Sequence, residues 1–399
     1  MDDFSGIWEG LSAVRDEPRL MIMWVIAFTL MYFGIAKKKE PLLLVPISAG
    51  LLFANLPLGE FTKPAGDGEI GGFLFYATRV GLVTDVLPLL IFLGLGAATD
   101  FEPVLAFPRM FLLGAAAQFG VFFAMIGAIL LGMTNAFDFG LLEAASIGII
   151  GGADGPTTIF VSTRMREIGN AAAGVEVRDI VGATTVAAYS YMALVPIIQP
   201  PIIRLFTTQK ERRIRMVYSP RPVSQRTKIL FPLVTALLIS VLMPKAAPLI
   251  GMMMFGNLLR ESGVVERLSS TAQNEMMNIV IILLGLTVGA TMPAAVFLQW
   301  ETIGIFALGL SAFAVATASG IMLAKTMNVF SKEKINPMIG AAGVSAVPMS
   351  ARVVQEMAHK EDPQNFILMH AMGPNVAGVI GTATVAGVLL AVVPSLVGA

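Results

Sequence analysis

The stretch Ile147–Thr163 limits what this chain can fold into more than any other. It is apolar at both ends and broken in its middle by Gly151, Gly152, Asp154, Gly155 and Pro156. Glycine is entropically poor in a helix, and proline removes a donor and clashes with the preceding turn, so a helix stops here. One carboxylate, Asp154, stands at the break, with the hydroxyls of Thr157, Thr158 and Ser162 close behind it. In a water-soluble chain this pattern is a tight turn and a helix start. In a membrane chain it is a broken or re-entrant segment lining a cavity, because opened backbone is tolerated at depth only beside protein or water.

Composition decides between the two. Of 399 residues, 56% are hydrophobic and 14% charged, and mean hydropathy is +0.77. Soluble domains carry roughly 25% charged residues, so this chain lacks the charge to coat a soluble surface. The expectation is an all-α polytopic membrane protein. Apolar segments of spanning length lie at about 20–36, 41–58, 82–99, 108–132, 178–203, 229–244, 246–260, 276–298, 302–324 and 366–396. Segments 140–164 and 335–357 are too interrupted for plain spans and are expected to be re-entrant hairpins. Residues 1–19 suit an interfacial helix, and 60–80 a polar loop with an amphipathic piece. Leu20–Ala36 follows Arg15 and Arg19 as a signal peptide would. It runs into Lys37, Lys38 and Lys39 with no small-residue cleavage site, so a retained span is expected. The chain has no cysteine, which excludes disulfides and thiolate metal sites.

Basic residues in short loops set orientation. Lys37, Lys38 and Lys39 form one cluster; Arg204, Lys210, Arg212, Arg213, Arg215, Arg221, Arg226 and Lys228, opposed only by Glu211, form the other. With both on the cytoplasmic side, 140–164 dips in from outside, 335–357 dips in from the cytoplasm, and the C-terminus ends outside. The second cluster serves positive-inside topology and is compatible with a docking surface for an anionic partner.

The chain also repeats itself. Leu93-Gly94-Leu95 corresponds to Leu284-Gly285-Leu286, and Ile147, Gly148, Gly151 and Pro156 match Ile339, Gly340, Gly343 and Pro348 at a constant spacing of 192. Under the topology above the two halves are oppositely oriented, the signature of inverted-repeat transporters. The expected division is 1–80, N-terminal spans for scaffold and oligomerisation; 81–203, first repeat; 204–275, basic loop and linking spans; 276–399, second repeat.

Asp154 is the sharpest chemical signal, since a carboxylate at membrane depth usually faces a cavity and marks an ion or proton path. Hard cations such as sodium favour oxygen ligands, and Thr157, Thr158, Ser162 and freed backbone carbonyls would add to the carboxylate. The bland alternative is a helix cap. In the second broken segment, Asn336 is open between capping and the cavity. Ser345 stands where the repeat places Ala153 and is open between the cavity and its own helix. Arg352 is open between snorkelling, pairing with Asp154 and binding a carboxylate. Tyr189 and Tyr191 sit two residues apart, so at most one points into a cavity. Asn375, after Gly373-Pro374, offers an amide oxygen. His370 reads as structural, with proton shuttling open, and Asp100 and Glu102 as loop residues. No GxxxxGK[ST] loop, HExxH or Cys/His cluster occurs.

The motifs GIIGGADGPT, YSYMALVPIIQPP, TTQKERRIRM and NPMIGAAGVSAVPMSAR resemble the beta subunit of sodium-translocating biotin-dependent decarboxylases, the oxaloacetate, methylmalonyl-CoA, glutaconyl-CoA and malonate systems of anaerobic bacteria. The resemblance runs from about residue 20 to the end. It implies a multi-pass protein of the bacterial inner membrane working by elevator movement of a transport domain against a scaffold. Carboxybiotin, presented by a partner subunit, would be decarboxylated at the cytoplasmic face, coupled to Na+ export with uptake of a proton. Implied partners are a biotin carrier, a carboxyltransferase alpha subunit, a small single-span gamma or delta subunit and further copies of the chain; nucleic acid is not among them. The resemblance places Na+ on Asp154 with Asn336, and a second Na+ and proton site on Ser345 with Tyr191. Gly340 falls on another family position, and Thr157 and Asn375 join as oxygen donors. Asp154, Tyr191 and Arg352 would carry the coupled reaction, with Arg352 tuning charge or holding the carboxyl group of carboxybiotin. A secondary Na+/carboxylate symporter or Na+/H+ antiporter without biotin chemistry is the alternative.

Overall fold

The computed structural model describes residues 5–66, 69–134, 137–172, 177–216 and 223–398. Arg221 and residues 1–4 of the expected interfacial helix lie outside them. The regular secondary structure of the described residues is helical, with one isolated bridge, Gly66 with Glu69. After a helix at Ser5–Asp16 come α1 (Arg19–Ile35) and α2 (Pro41–Ala54). A short helix and a π-turn (Phe73–Val83) then lead into α3 (Val86–Ala98), bent by 60° at Thr84-Asp85. There follow α4 (Met110–Gly132), α5 (Leu141–Gly148), α6 (Gly155–Ala171) and α7 (Val181–Phe206). The remainder is α8 (Gln225–Leu242), α9 (Ala247–Ser262), α10 (Glu266–Ala290), α11 (Trp300–Phe330), α12 (Met349–Glu361) and α13 (Leu368–Leu396).

Among the described residues, six helices are long and apolar enough to cross a membrane, α4, α7, α8, α10, α11 and α13, or seven with the bent pair. They coincide with seven of the ten expected spans. Segments 20–36, 41–58 and 246–260 form α1, α2 and α9, of 17, 14 and 16 residues. The apolar run overstates α2 because Asn55 and Pro57 end the helix before the run is over. The protein is an all-helical, multi-pass membrane protein.

The order of elements occurs twice. A six-residue helix, a five-residue π-turn and an apolar helix follow one another at Phe73–Thr78, Arg79–Val83 and α3. They do so again at Glu266–Thr271, Ala272–Met276 and Met277–Ala290. Packing crosses between these stretches: α2 lies on α10, and α9 lies on α3. Both contacts run backbone to backbone over glycine. A Cβ on Gly50 would sit 2.2 Å from the Leu286 carbonyl, and one on Gly256 would sit 2.0 Å from the Leu93 carbonyl. The two carbonyls belong to the matched Leu-Gly-Leu motifs. Small residues let helices approach this closely where lipid supplies no hydrophobic drive.

Two buried amides complete the exchange. Asn55, at the end of α2, donates to Met292 O at 2.9 Å and accepts from Ala294 N–H at 2.8 Å, just past α10. Asn257, on α9, donates to Thr99 O at 3.1 Å, just past α3. Each satisfies backbone left open where a helix stops.

Gly320 on α11 and Gly340 meet in the same way, a Cβ on Gly320 falling 2.0 Å from the Gly340 carbonyl. Gly320→Ala is therefore expected to destabilise the protein by about 1–3 kcal/mol. Gly251→Ala, with nothing within 4 Å of the new methyl, is expected to be neutral or mildly stabilising. Thermal unfolding of detergent-solubilised protein distinguishes them; equal midpoints would refute the close contact.

Candidate functional site

The first broken segment is a helical hairpin. α5 runs on through a 3-10 turn, Ile149–Gly152, and packs against α6 beyond the break. Ala153 takes a left-handed conformation at φ 55°, unusual for a residue with a Cβ, and turns the chain into Asp154. Asp154 caps α6: its Oδ1 accepts the Thr157 N–H at 3.1 Å, and its carbonyl accepts the Thr158 hydroxyl at 2.7 Å. The side chain is 4% exposed, and its Oδ2 has no protein partner. Thr157 Oγ1 and the Tyr189 hydroxyl are likewise buried without partners. Tyr189 lies against the break, its ring 2.2 Å from where a Cβ on Gly155 would stand. A cap uses one carboxylate oxygen; the other is buried, and among the described residues no basic side chain pairs with it.

The second broken segment begins at the short helix Met338–Ala341, turns through 342–348 and continues as α12. Its turn is opened backbone held by side-chain amides. Asn375 Nδ2 donates to Val344 O at 2.7 Å and Ala342 O at 3.0 Å, and Gln199 Nε2 donates to Ala341 O at 2.9 Å. The oxygens of both amides are buried without partners.

The two breaks touch. Ser345 N–H donates to Gly152 O at 3.1 Å, one residue short of Ala153, its counterpart in the repeat. The Ser345 hydroxyl lies 2.6 Å from Thr382 Oγ1, which lies 3.2 Å from Gln118 Oε1. This polar chain crosses from the second hairpin through α13 to α4.

The other expected residues fall elsewhere. Tyr191 donates its hydroxyl to the Phe306 carbonyl on α11, so Tyr189, not Tyr191, faces the first break. Gly340 serves close packing against Gly320. Arg352 is exposed on α12, and no ion pair joins it to Asp154 among the described residues. His370 is buried with its ring 5.2 Å from that of Phe107. Asn336 spends both N–H groups on the Arg212 and Ile214 carbonyls, at 2.9 and 3.0 Å. Sequence reasoning missed Thr382, Gln118 and Gln199, because a lone hydroxyl or amide in an apolar helix signals nothing until its neighbour is known.

The basic run is partly neutralised. Arg212 pairs with Glu361 at 2.7 Å and Arg215 with Asp362 at 2.6 Å, while Lys228 pairs with Glu102 at 2.5 Å. Hydrogen bonds from Arg212 and Arg215 hold the Glu361 and Asp362 carboxyls below their ordinary values. Both pairs are thus in place above about pH 4 and weaken as pH falls through the lowered values, well below the range of a neutral sodium titration.

Thr382→Val keeps shape while cutting the Ser345–Thr382–Gln118 chain. It is expected to cost about 1–3 kcal/mol, the penalty of stranding buried polar partners, and Thr384→Val, on a half-buried hydroxyl of the same helix, is expected to cost less. Thermal unfolding in detergent measures both; the reverse order would refute the bridge.

Residues 19–393 match the family described as the Na+-transporting oxaloacetate decarboxylase beta subunit. The methylmalonyl-CoA decarboxylase subunit beta of Propionigenium modestum is 52% identical, covering 93% of this chain and 94% of its own. The glutaconyl-CoA decarboxylase subunit beta of Acidaminococcus fermentans is 49% identical, over 93% and 92%. The oxaloacetate decarboxylase beta chain of Klebsiella pneumoniae is 48% identical, over 98% and 99%. The chain belongs to this family of Na+-transporting decarboxylase beta subunits.

Proposed function

We propose that this chain is the membrane subunit of a primary sodium pump in the bacterial cytoplasmic membrane, which decarboxylates carboxybiotin at its cytoplasmic side and exports Na+ while taking up a proton. A partner carboxyltransferase alpha subunit would load the biotin of a carrier, with a single-span gamma or delta subunit and further copies of the chain completing the assembly. In the reaction the bond from biotin nitrogen to the carboxylate breaks, CO2 leaves, and a proton takes its place on nitrogen. The observation that carries the reading is the Asp154 Oδ2, buried and unpartnered beside the free oxygens of Thr157 and Tyr189. An uncompensated carboxylate in an apolar interior is costly, and a sodium ion or a proton relieves it. Only one of the two can do so at a time, which gives exchange of cargo for proton a physical basis.

The twice-occurring order of elements, and the two breaks meeting at Gly152 and Ser345, support an inverted repeat with two re-entrant hairpins. In this reading Thr157, Tyr189 and Ser345 surround Asp154, and Asn375 shapes the second turn. Arg352 is exposed near the start of α12, the helix whose other end pairs with the basic run, and in this reading it would meet the carboxyl group of carboxybiotin. In this reading an elevator displacement would carry the hairpins past a scaffold of α1–α3 and α8–α10, whose own halves are held together by the glycine contacts at Gly50 and Gly256.

Asp154→Asn in the reconstituted complex is expected to abolish sodium transport and sodium-stimulated decarboxylation together. Retained sodium-dependent turnover would remove Asp154 from the mechanism. In the intact protein the sodium concentration for half-maximal turnover should rise as pH is lowered across about pH 8 to 6, because protonation removes the charge that holds the cation. A constant value would reject exchange at a shared carboxylate. Avidin inhibition of sodium uptake separates this pump from a symporter or antiporter that needs no biotin.

A further inference from the structure

The segment Thr207–Met216, which follows α7, is fastened to three parts of the molecule at once. Lys325 on α11 reaches Glu211 at 3.1 Å and the Phe206 carbonyl at 3.2 Å. Arg212 and Arg215 pair with Glu361 and Asp362 at the end of α12. The third attachment is through two asparagines far apart in sequence. Asn336 donates to the carbonyls of Arg212 and Ile214 at 2.9 and 3.0 Å, and Asn365 donates to the same two at 3.4 and 3.1 Å. The Asn336 oxygen accepts the Met338 N–H at 3.1 Å, and the Asn336 N–H meets Met216 Sδ at 3.3 Å. Both asparagines are buried, at 0% and 1% exposure. Two carbonyls taking four amide hydrogens is a structural device: it pins irregular backbone at the place where the second hairpin enters the fold.

We propose that Asn336 and Asn365 are positioning residues that hold Thr207–Met216 as a clamp over the entrance of the second hairpin, and that Asn336 acts on sodium through this clamp and not as a ligand. The turnover part of this inference rests on the proposed sodium-coupled function; the structural part does not. The clamp also ties α7, which carries Tyr189 and Gln199, to the hairpin that α7 touches at Ala341, so the two would move as one body.

The absence of cysteine makes a direct test possible. Met338 is fully buried beneath the clamp, and Met338→Cys in the whole complex, in native membranes, is expected to be silent to a membrane-impermeant maleimide. Adding Asn336→Ala, Asn365→Ala or Arg212→Glu should raise its labelling roughly tenfold, the opening expected on losing two hydrogen bonds or an ion pair. Combining Arg212→Glu with Glu361→Arg should return labelling to the parent level. The sodium concentration for half-maximal turnover should shift by the same factor in the Asn336→Ala and Asn365→Ala complexes. Silent labelling in both alanine variants, with half-saturation altered in Asn336→Ala alone, would overturn the proposal in favour of a ligand role. Reactivity of Met338→Cys in the parent would overturn it too. Should Asn336→Ala fail to accumulate, Asn365→Ala and Arg212→Glu decide by the same labelling. Labelling that rises as expected in a complex whose turnover ignores sodium would sink the pump reading and leave the clamp standing.

Discussion

A helix broken inside an apolar protein leaves carbonyls and N–H groups that no water reaches, and each must find a partner. This requirement organises the molecule more than apolar contact does. The first break answers it with Asp154 and with the Gly152 carbonyl received by Ser345. The second answers it with Asn375 and Gln199 from neighbouring helices. Helix ends at Thr99, Met292 and Ala294 receive Asn257 and Asn55. Side-chain amides thus do what lipid and water cannot. Against that completeness, the unpartnered oxygens of Asp154, Thr157 and Tyr189 stand out as a cluster, and it is their shared location, not any single atom, that points to a cation.

The halves of the chain are interleaved, not set side by side. α2 packs on α10 and α9 on α3 through glycine contacts at Gly50 and Gly256. The breaks then meet across the same divide, and the Ser345–Thr382–Gln118 chain crosses it again. The hairpins themselves meet neighbouring helices backbone to backbone, Gly151 against Gly120 on α4 and Gly340 against Gly320 on α11.

Much of this was legible in the sequence, and the reasons differ by feature. Membrane class and the interruptions within 140–164 and 335–357 follow from local chemistry at Gly155-Pro156 and at Gly343 with Pro348, although Pro196, Pro200 and Pro201 lie inside α7. What depends on partners was not legible. Tyr189 and Tyr191 differ only in which neighbour each helix face meets, and that neighbour, Gly155 or Phe306, is fixed by packing. Asn336 stayed open between capping and the cavity; its oxygen takes the Met338 N–H at the start of the short helix, while its other partners, the Arg212 and Ile214 carbonyls, carry no sequence signature. The span at 41–58 read longer than the 14-residue helix it forms, since an apolar loop and an apolar helix have one composition.

The amide of Asn55 has an implication for how the protein is made. Its partners at Met292 and Ala294 lie 237 and 239 residues downstream. At a translation rate of about 5–20 residues per second, roughly 12 to 50 seconds separate synthesis of α2 from arrival of those groups. During that interval a polar side chain at the edge of an apolar segment has no native acceptor beyond its own turn at Leu51. The α2–α10 seam, with the Asn55 amide at its end, is therefore completed only after most of the polypeptide has been made.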